Sequence, residues 1–378
     1  MFIGSPQKTI AFSVLLLIAT GLVFIYSVSG PYGLEEKHSR WYYFFRQLIF
    51  AVIAIAVMIV CSRMDYRNLL RFSPALIVIA LGMLVLVLNT KEKQEVRRWI
   101  DLGFVQFQPS EFFKVAAVMY LANLAAKVHL RRLEPKKLMF RAVLPAAGLV
   151  LIIKQPDLGT LAAVFIIIAA ISFIGGLKLR YIAIVAAAVL VMGSLMVFGK
   201  GYEKDRLTDY AAILKDPLAD HTGPGLSGGF YQVKQSLISI GSGGLFGRGL
   251  GEGSQKNLFL PAPHTDFIFA SSAEEGGMLL CLFILGLYMM FFFGAIRVAS
   301  LATDIEGLLL ATGMAIMIVS QAAINIGVAV GLLPVTGITL PFFSYGGSSL
   351  VISCAAAGMI LSVARHGCRP ELNRARIL

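Results

Sequence analysis

LPAPHTDFIFASSAEEGGMLLCLFILGLYMMFFFGAI, residues 260–296, leads from a polar turn carrying one carboxylate straight into an apolar run. From Gly276 to Ile296 there is no Asp, Glu, Lys or Arg, and a run of that length is what the hydrocarbon layer demands of a helix satisfying its own backbone. Just upstream, Asp266 is set against Phe267, Ile268 and Phe269. An acid at the edge of an apolar run is costly unless something pairs or uses it. Position alone divides Asp266 evenly between a functional acid and a solvated charge preceding a helix.

The rest of the chain repeats the pattern. Its 378 residues are 57% hydrophobic and 14% charged, with mean hydropathy +0.79, too apolar for a soluble globular protein. Barrel strands would be shorter and alternate with period two, so the fold class is an all-α polytopic membrane protein. About ten spans are expected: Thr9–Ser29, Tyr42–Ser62, Leu69–Leu88, Ser110–Ala126, Ala142–Ile153, Leu158–Gly175, Tyr181–Phe198, Gly276–Ile296, Gly307–Val330 and Ser348–Ala364. The fifth, of about 12 residues, rises only about 18 Å and needs flanking chain to cross. The first run lacks a small-residue cleavage site and is kept as a span.

Charge sets the orientation. With the N-terminus inside, the inner segments hold about 17 basic residues against about 5 acids, as cytoplasmic loops should, and the even span count puts both termini in the cytoplasm. The formal charge of +12 is then a topology signal that needs no nucleic acid to explain it. Cys61, Cys281, Cys354 and Cys368 all fall in spans or on the inner side, so no disulfide or thiol chemistry is expected. One single domain, 1–378, is implied, with a large extracytoplasmic segment, 199–275, between the seventh and eighth spans. At that length the segment should hold short helices and carry function.

Several outer-side residues have a chemical reading beside a structural one. Arg98, next to Trp99, suits a lipid phosphate at headgroup depth, or anchors the loop at the interface. Ser110 can cap a helix whose first turn holds Glu111, with Lys114 three residues on; such a pair should face a cavity or the bundle interior. Pro156 breaks the chain between Lys154 and Asp157, and Asp157 can cap the next helix. The glycines at 241–253 could approach a phosphate or simply form turns, and they match no P-loop or dinucleotide fingerprint. Residues 333–349 read as an uncharged polar rim. Gly327 and Gly331 form a G-x-x-x-G step suited to close helix contact with a partner span. There is no metal-ligand spacing and no Ser/His/Asp order.

Taken together, RRWIDLGFVQFQPSEFFK (97–114), KQPDLGT (154–160), YQVKQSLISIGSGGLFGRGLG (231–251), LPAPHTDFIF (260–269) and GLLPVTGITLPFFSYGGSS (331–349) resemble the SEDS family, the FtsW, RodA and SpoVE group, over nearly the whole chain. The resemblance implies a ten-helix peptidoglycan glycosyltransferase of the bacterial cytoplasmic membrane, serving cell division or cell shape. Such an enzyme polymerises lipid II into glycan on the outer face, beside a class B penicillin-binding protein that crosslinks it. It places the catalytic aspartate on Asp266, the family's outer-loop arginine on Arg98 and other functional positions on Glu111, Lys114 and Asp157; Arg98 and Lys114 are expected to bind the pyrophosphate, Glu111 and Asp157 to orient them, and Lys154, beside Asp157, is expected among the substrate-binding residues. The chain departs from the family at Ala262, where Glu is usual, at Gly277, where Leu is common, and at Glu95-Val96, where Gly-Ala is common. An inverting displacement needs one base and one cationic cradle and no organic cofactor; a divalent cation, Mg or Mn, on Asp266 is an alternative way to neutralise the leaving group. A lipid II flippase and a scaffold that recruits the transpeptidase remain the rival readings.

Overall fold

The computed structural model describes residues 5–89, 98–101, 103, 106–129, 135–155, 157–176, 228–254 and 259–368, with isolated positions among 179–187. Eleven helices are described: α1 Pro6–Lys37, α2 Tyr42–Arg63, α3 Tyr66–Arg71, α4 Ser73–Leu88, α5 Pro109–His129, α6 Pro135–Lys154, α7 Leu158–Ile174, α8 Gly228–Gly243, α9 Ile268–Ser300, α10 Ile305–Ala329 and α11 Gly347–His366. Of these, α1, α2, α9, α10 and α11 are long and apolar enough to cross a membrane, and α4 and α7 are shorter apolar helices.

Four expectations are corrected in detail. The third span splits at Phe72, because Asp65 caps the separate turn of α3 through Arg67 N, and Ser73-Pro74 restarts the chain as α4. The fifth lies within the 20-residue α6, which removes the shortfall in length, since 20 residues rise about 30 Å. The eighth is extended rather than moved: α9 breaks at Gly277, beside the expected start at Gly276, and a further helical stretch from Ile268 precedes the break, so Asp266 sits at the mouth of a helix. The all-α class is interrupted by a short hairpin, β1 Ile100–Asp101 paired antiparallel with β2 Gln106–Phe107. The seventh span, 181–198, lies almost wholly outside the described residues, as do 199–227 of the long loop. At the start of α1, Gln7 Nε2 donates to Ala364 O at the end of α11 at 2.8 Å, so the two described ends lie side by side.

Helix α9 is broken at Gly277, whose φ of 69° no side chain tolerates easily. The break frees backbone groups in the middle of an apolar helix, and the glycine-rich turn after α8 takes them up. Arg248 N and Gly249 N donate to Glu274 O and Glu275 O at 3.0 Å each, and Met278 N and Leu279 N donate to Gly244 O and Leu245 O at 3.0 and 3.2 Å. A Cβ on Gly247 would stand 2.1 Å from Glu275 O. Gly243, Gly247 and Gly277 are small so that two backbones can meet, whereas a Cβ on Gly241, Gly244 or Gly251 would meet nothing within 4 Å.

The stretch 333–346 is no polar rim. Leu340, Phe342, Phe343 and Ser344 are buried, and Phe343 packs so closely on α1 that a Cβ at Gly21 would lie 2.7 Å from its carbonyl oxygen. The G-x-x-x-G step is internal: Leu333 folds over Gly327, and Gly331, at φ 74°, ends the helix. At the other end of α10, Asp304 caps the helix through Gly307 N at 2.7 Å and binds Arg67 Nη2 and the Tyr66 hydroxyl, each at 2.6 Å.

Candidate active site

The loop carrying Asp266 is held by its carbonyls. The Tyr32 hydroxyl donates to Leu260 O at 2.8 Å, Ser271 Oγ to Pro263 O at 3.4 Å, Tyr345 N to His264 O at 2.9 Å, Ser344 Oγ to Thr265 O at 2.6 Å, and Asn325 Nδ2 to Asp266 O at 2.8 Å. Donors come from α1, α9, α10 and the buried 333–346 stretch. A turn tied this way has little freedom left, so the half-buried carboxylate of Asp266 is presented at a defined place.

What it faces is set by Gly337. A Cβ built on this glycine would lie 3.6 Å from Arg98 Nη1 and 3.7 Å from Asp266 Oδ2. One backbone position thus lies against both a guanidinium and a carboxylate, and φ of 72° makes glycine the fitting residue there. Arg98 is buried, donates through Nε to Gln155 O at 3.3 Å, and lies 3.9 Å from Asp157 Oδ1. The two carboxylate oxygens of Asp157 already serve the start of α7, accepting from Thr160 N at 3.1 Å and Thr160 Oγ1 at 2.8 Å. Asp157 is therefore both a cap and a loose counter-ion. Gln108 Nε2 approaches its second oxygen at 3.5 Å.

Glu111 and Lys114 form a neighbouring cluster. Lys114 Nζ lies 2.7 Å from Glu111 Oε1 and also donates to Gln321 Oε1 on α10, and all three residues are buried. Gln321 Nε2 continues to Thr339 O at 3.1 Å. The ammonium is engaged on both sides, so it meets a ligand only as part of this group. Lys154 is not brought in: it is exposed at the end of α6, while the neighbouring Gln155 turns inward.

Residue-by-residue reading of the sequence missed Gln321, Asn325, Gly337 and His264. The first two had a signal, two amide side chains four residues apart within an apolar span, which places them on one helix face. His264 stacks among Tyr32, Tyr43 and Tyr345, with ring centroids 5.6, 4.8 and 5.5 Å away. Burial pushes its imidazole down to about 4, with nearby Glu36 pulling the other way.

The profile of the cell cycle protein family FtsW/RodA/SpoVE matches residues 7–368. The chain belongs to this family. Stage V sporulation protein E of Bacillus subtilis (strain 168) is 36% identical over 370 residues, which cover 96% of this chain and 98% of that protein. The probable peptidoglycan glycosyltransferase FtsW of Trichlorobacter lovleyi is 38% identical over 358 residues, 93% of this chain and 91% of that one. Among solved structures, a chain from a peptidoglycan synthase complex described for its coordination of polymerization and crosslinking superposes with TM-score 0.73 at 27% identity, covering 97% of this chain and 98% of that one. The rod shape determining protein RodA of Thermus thermophilus gives 0.69 at 26% identity, covering 98% and 99%. The matched residues 7–368 take in every element that builds the site.

Proposed function

We propose that this chain is a peptidoglycan glycosyltransferase of the bacterial inner membrane that polymerises lipid II on the outer face, with Asp266 as general base and Arg98 as the grip on the pyrophosphate. The observation that carries the assignment of residues is the convergence of Arg98 Nη1 and Asp266 Oδ2 on Gly337. The chemistry needs one acceptor for a proton and one cation for a leaving group, at separate but neighbouring points. The attacking hydroxyl oxygen bonds to the anomeric carbon as its proton passes to the Asp266 carboxylate. The bond from that carbon to the pyrophosphate oxygen breaks, and the departing charge falls to the Arg98 fork. A single displacement turns an α-linked donor into a β-linked glycan.

Asp157 and Gln155 hold Arg98 in place, and the Glu111–Lys114–Gln321 group supports the wall behind it. Among the described residues no three His, Cys, Asp or Glu side chains come together. A divalent ion on Asp266 is the alternative way to neutralise the leaving pyrophosphate, and no step is routed through one. The relative of known structure that acts within a peptidoglycan synthase complex supports a transpeptidase of the class B penicillin-binding type as partner. The deciding experiment is incubation of purified protein with lipid II in detergent, where no transport across a membrane can occur. Glycan strands are expected on a gel; none from a folded, monodisperse preparation would leave the flippase or scaffold reading in its place.

A further inference from the structure

Asn325 is 2% exposed and sits on α10 one turn beyond Gln321. Its amide nitrogen donates twice, to Asp266 O at 2.8 Å and to Ile338 O at 2.6 Å. Both hydrogens go to carbonyls, which fixes the orientation of the amide. Its Oδ1 has no hydrogen-bond partner among the described residues. Leaving that acceptor unsatisfied costs about 1–3 kcal/mol, a cost set against the two carbonyls that the same amide satisfies and that an apolar residue of the same shape would leave without this donor.

Those two carbonyls belong to the two segments whose relative placement makes the site: the base-bearing turn, and the stretch holding Gly337, against which Arg98 lies. We infer that Asn325 is a positioning residue that sets the spacing between the carboxylate of Asp266 and the guanidinium of Arg98. Gln321, one turn below, does the same for the wall, joining Lys114 to Thr339. The two amides form a ladder on one face of α10. Asn325 touches neither reacting group, and its effect is transmitted through backbone. Displacements of about 1 Å at a reacting centre can cost about 100-fold in rate, so the loss should be large even though nothing chemical is removed.

The inference rests on the proposed glycosyl transfer for its kinetic arm only. In detergent with lipid II, Asn325→Leu should lower kcat about 10- to 100-fold and leave KM within about 2-fold, because binding groups remain while alignment is lost. Hydrogen exchange should rise in 260–267 and 336–340 and stay unchanged at residues 300–307. Asn325→Asp, of the same shape, should do likewise and serves if the leucine variant does not fold. Unchanged kcat and exchange in a folded variant overturn the inference, as does a rise in KM alone or exchange that rises evenly along the chain. Asp266→Asn is run beside them: if it polymerises normally the functional reading fails, and the exchange arm still decides whether Asn325 holds the two segments together.

Discussion

The two ends of α10 both carry buried or half-buried ionic clusters, and they are built to different rules. At Asp304 every charge closes on a partner: Arg67 and Tyr66 at 2.6 Å and the Gly307 amide at 2.7 Å. Although burial pushes the Asp304 carboxyl up, the Tyr66, Gly307 and Arg67 donors outweigh it and hold the acid below its usual range. At the other end Arg98 stands 3.9 Å from an Asp157 whose oxygens are spent on Thr160, and a guanidinium has five donors to place. The first arrangement is complete in the protein. The second keeps a cation desolvated and aimed, with capacity left for an anionic ligand, as a leaving pyrophosphate would require.

The sharpest way to break this contrast is to remove the acid. Asp266→Asn keeps the shape and deletes the proton acceptor, so polymerisation should fall by at least about 100- to 10,000-fold, with the melting temperature little changed. Glycan synthesis at the wild-type rate would remove Asp266 from the mechanism. Next in size, Arg98→Ala should cut kcat/KM about 10- to 100-fold and weaken lipid II binding, whereas Arg67→Ala should lower the melting temperature and leave turnover per folded molecule unchanged. Similar kinetic losses from both would show that the two clusters do not differ in kind. Gly337→Ala should cost a few-fold to about 10-fold, since the methyl meets both functional groups and the backbone there has positive φ.

The fold was legible to the degree that apolar runs are, because membrane depth imposes length and continuity. Tyr42–Ser62 and Ser348–Ala364 are matched almost to the residue by α2 and α11. It failed where backbone does something local: the Phe72 break, the helical stretch from Ile268 that precedes the expected start of the span, and the Gly277 kink, whose partner turn around Gly244–Gly249 leaves no periodic trace. Arg98, Asp157 and Asp266 were visible as charges where charges are costly, and the motifs of the family resemblance marked them. Lys154 was visible for the same reason, but a cation at a helix end can turn outward, and here it does. Nothing in the order of residues said that Gly337 would lie against both Arg98 and Asp266, because that is a meeting of three distant segments.

The smallest expected effect concerns pH, and it separates the two ends of α10 by a different means. His264, whose own carbonyl is one of the five holding the Asp266 turn, has its imidazole pushed down to about 4 by burial among Tyr32, Tyr43 and Tyr345. An unfolded histidine takes up its proton near 6.5, so between about 6.5 and 4 the unfolded chain binds a proton that the folded turn refuses, and stability falls as pH falls through that window. Asp304 behaves differently: its depressed acid contributes stability above the unfolded carboxylate value of about 3.9, and that contribution is lost only as pH drops below it. Between pH 7 and 5 the turn carrying Asp266 should therefore soften while the clamp at Asp304 holds. The measurement is the melting temperature of wild type and His264→Phe in detergent at pH 7, 6 and 5. A phenylalanine fills the aromatic cage and cannot be protonated, so the decline with pH should be shallower in the variant, by on the order of 1 kcal/mol at pH 5. Parallel curves for the two proteins would mean that the imidazole is protonated as easily in the folded turn as in water, and the burial of His264 would then cost it no proton affinity.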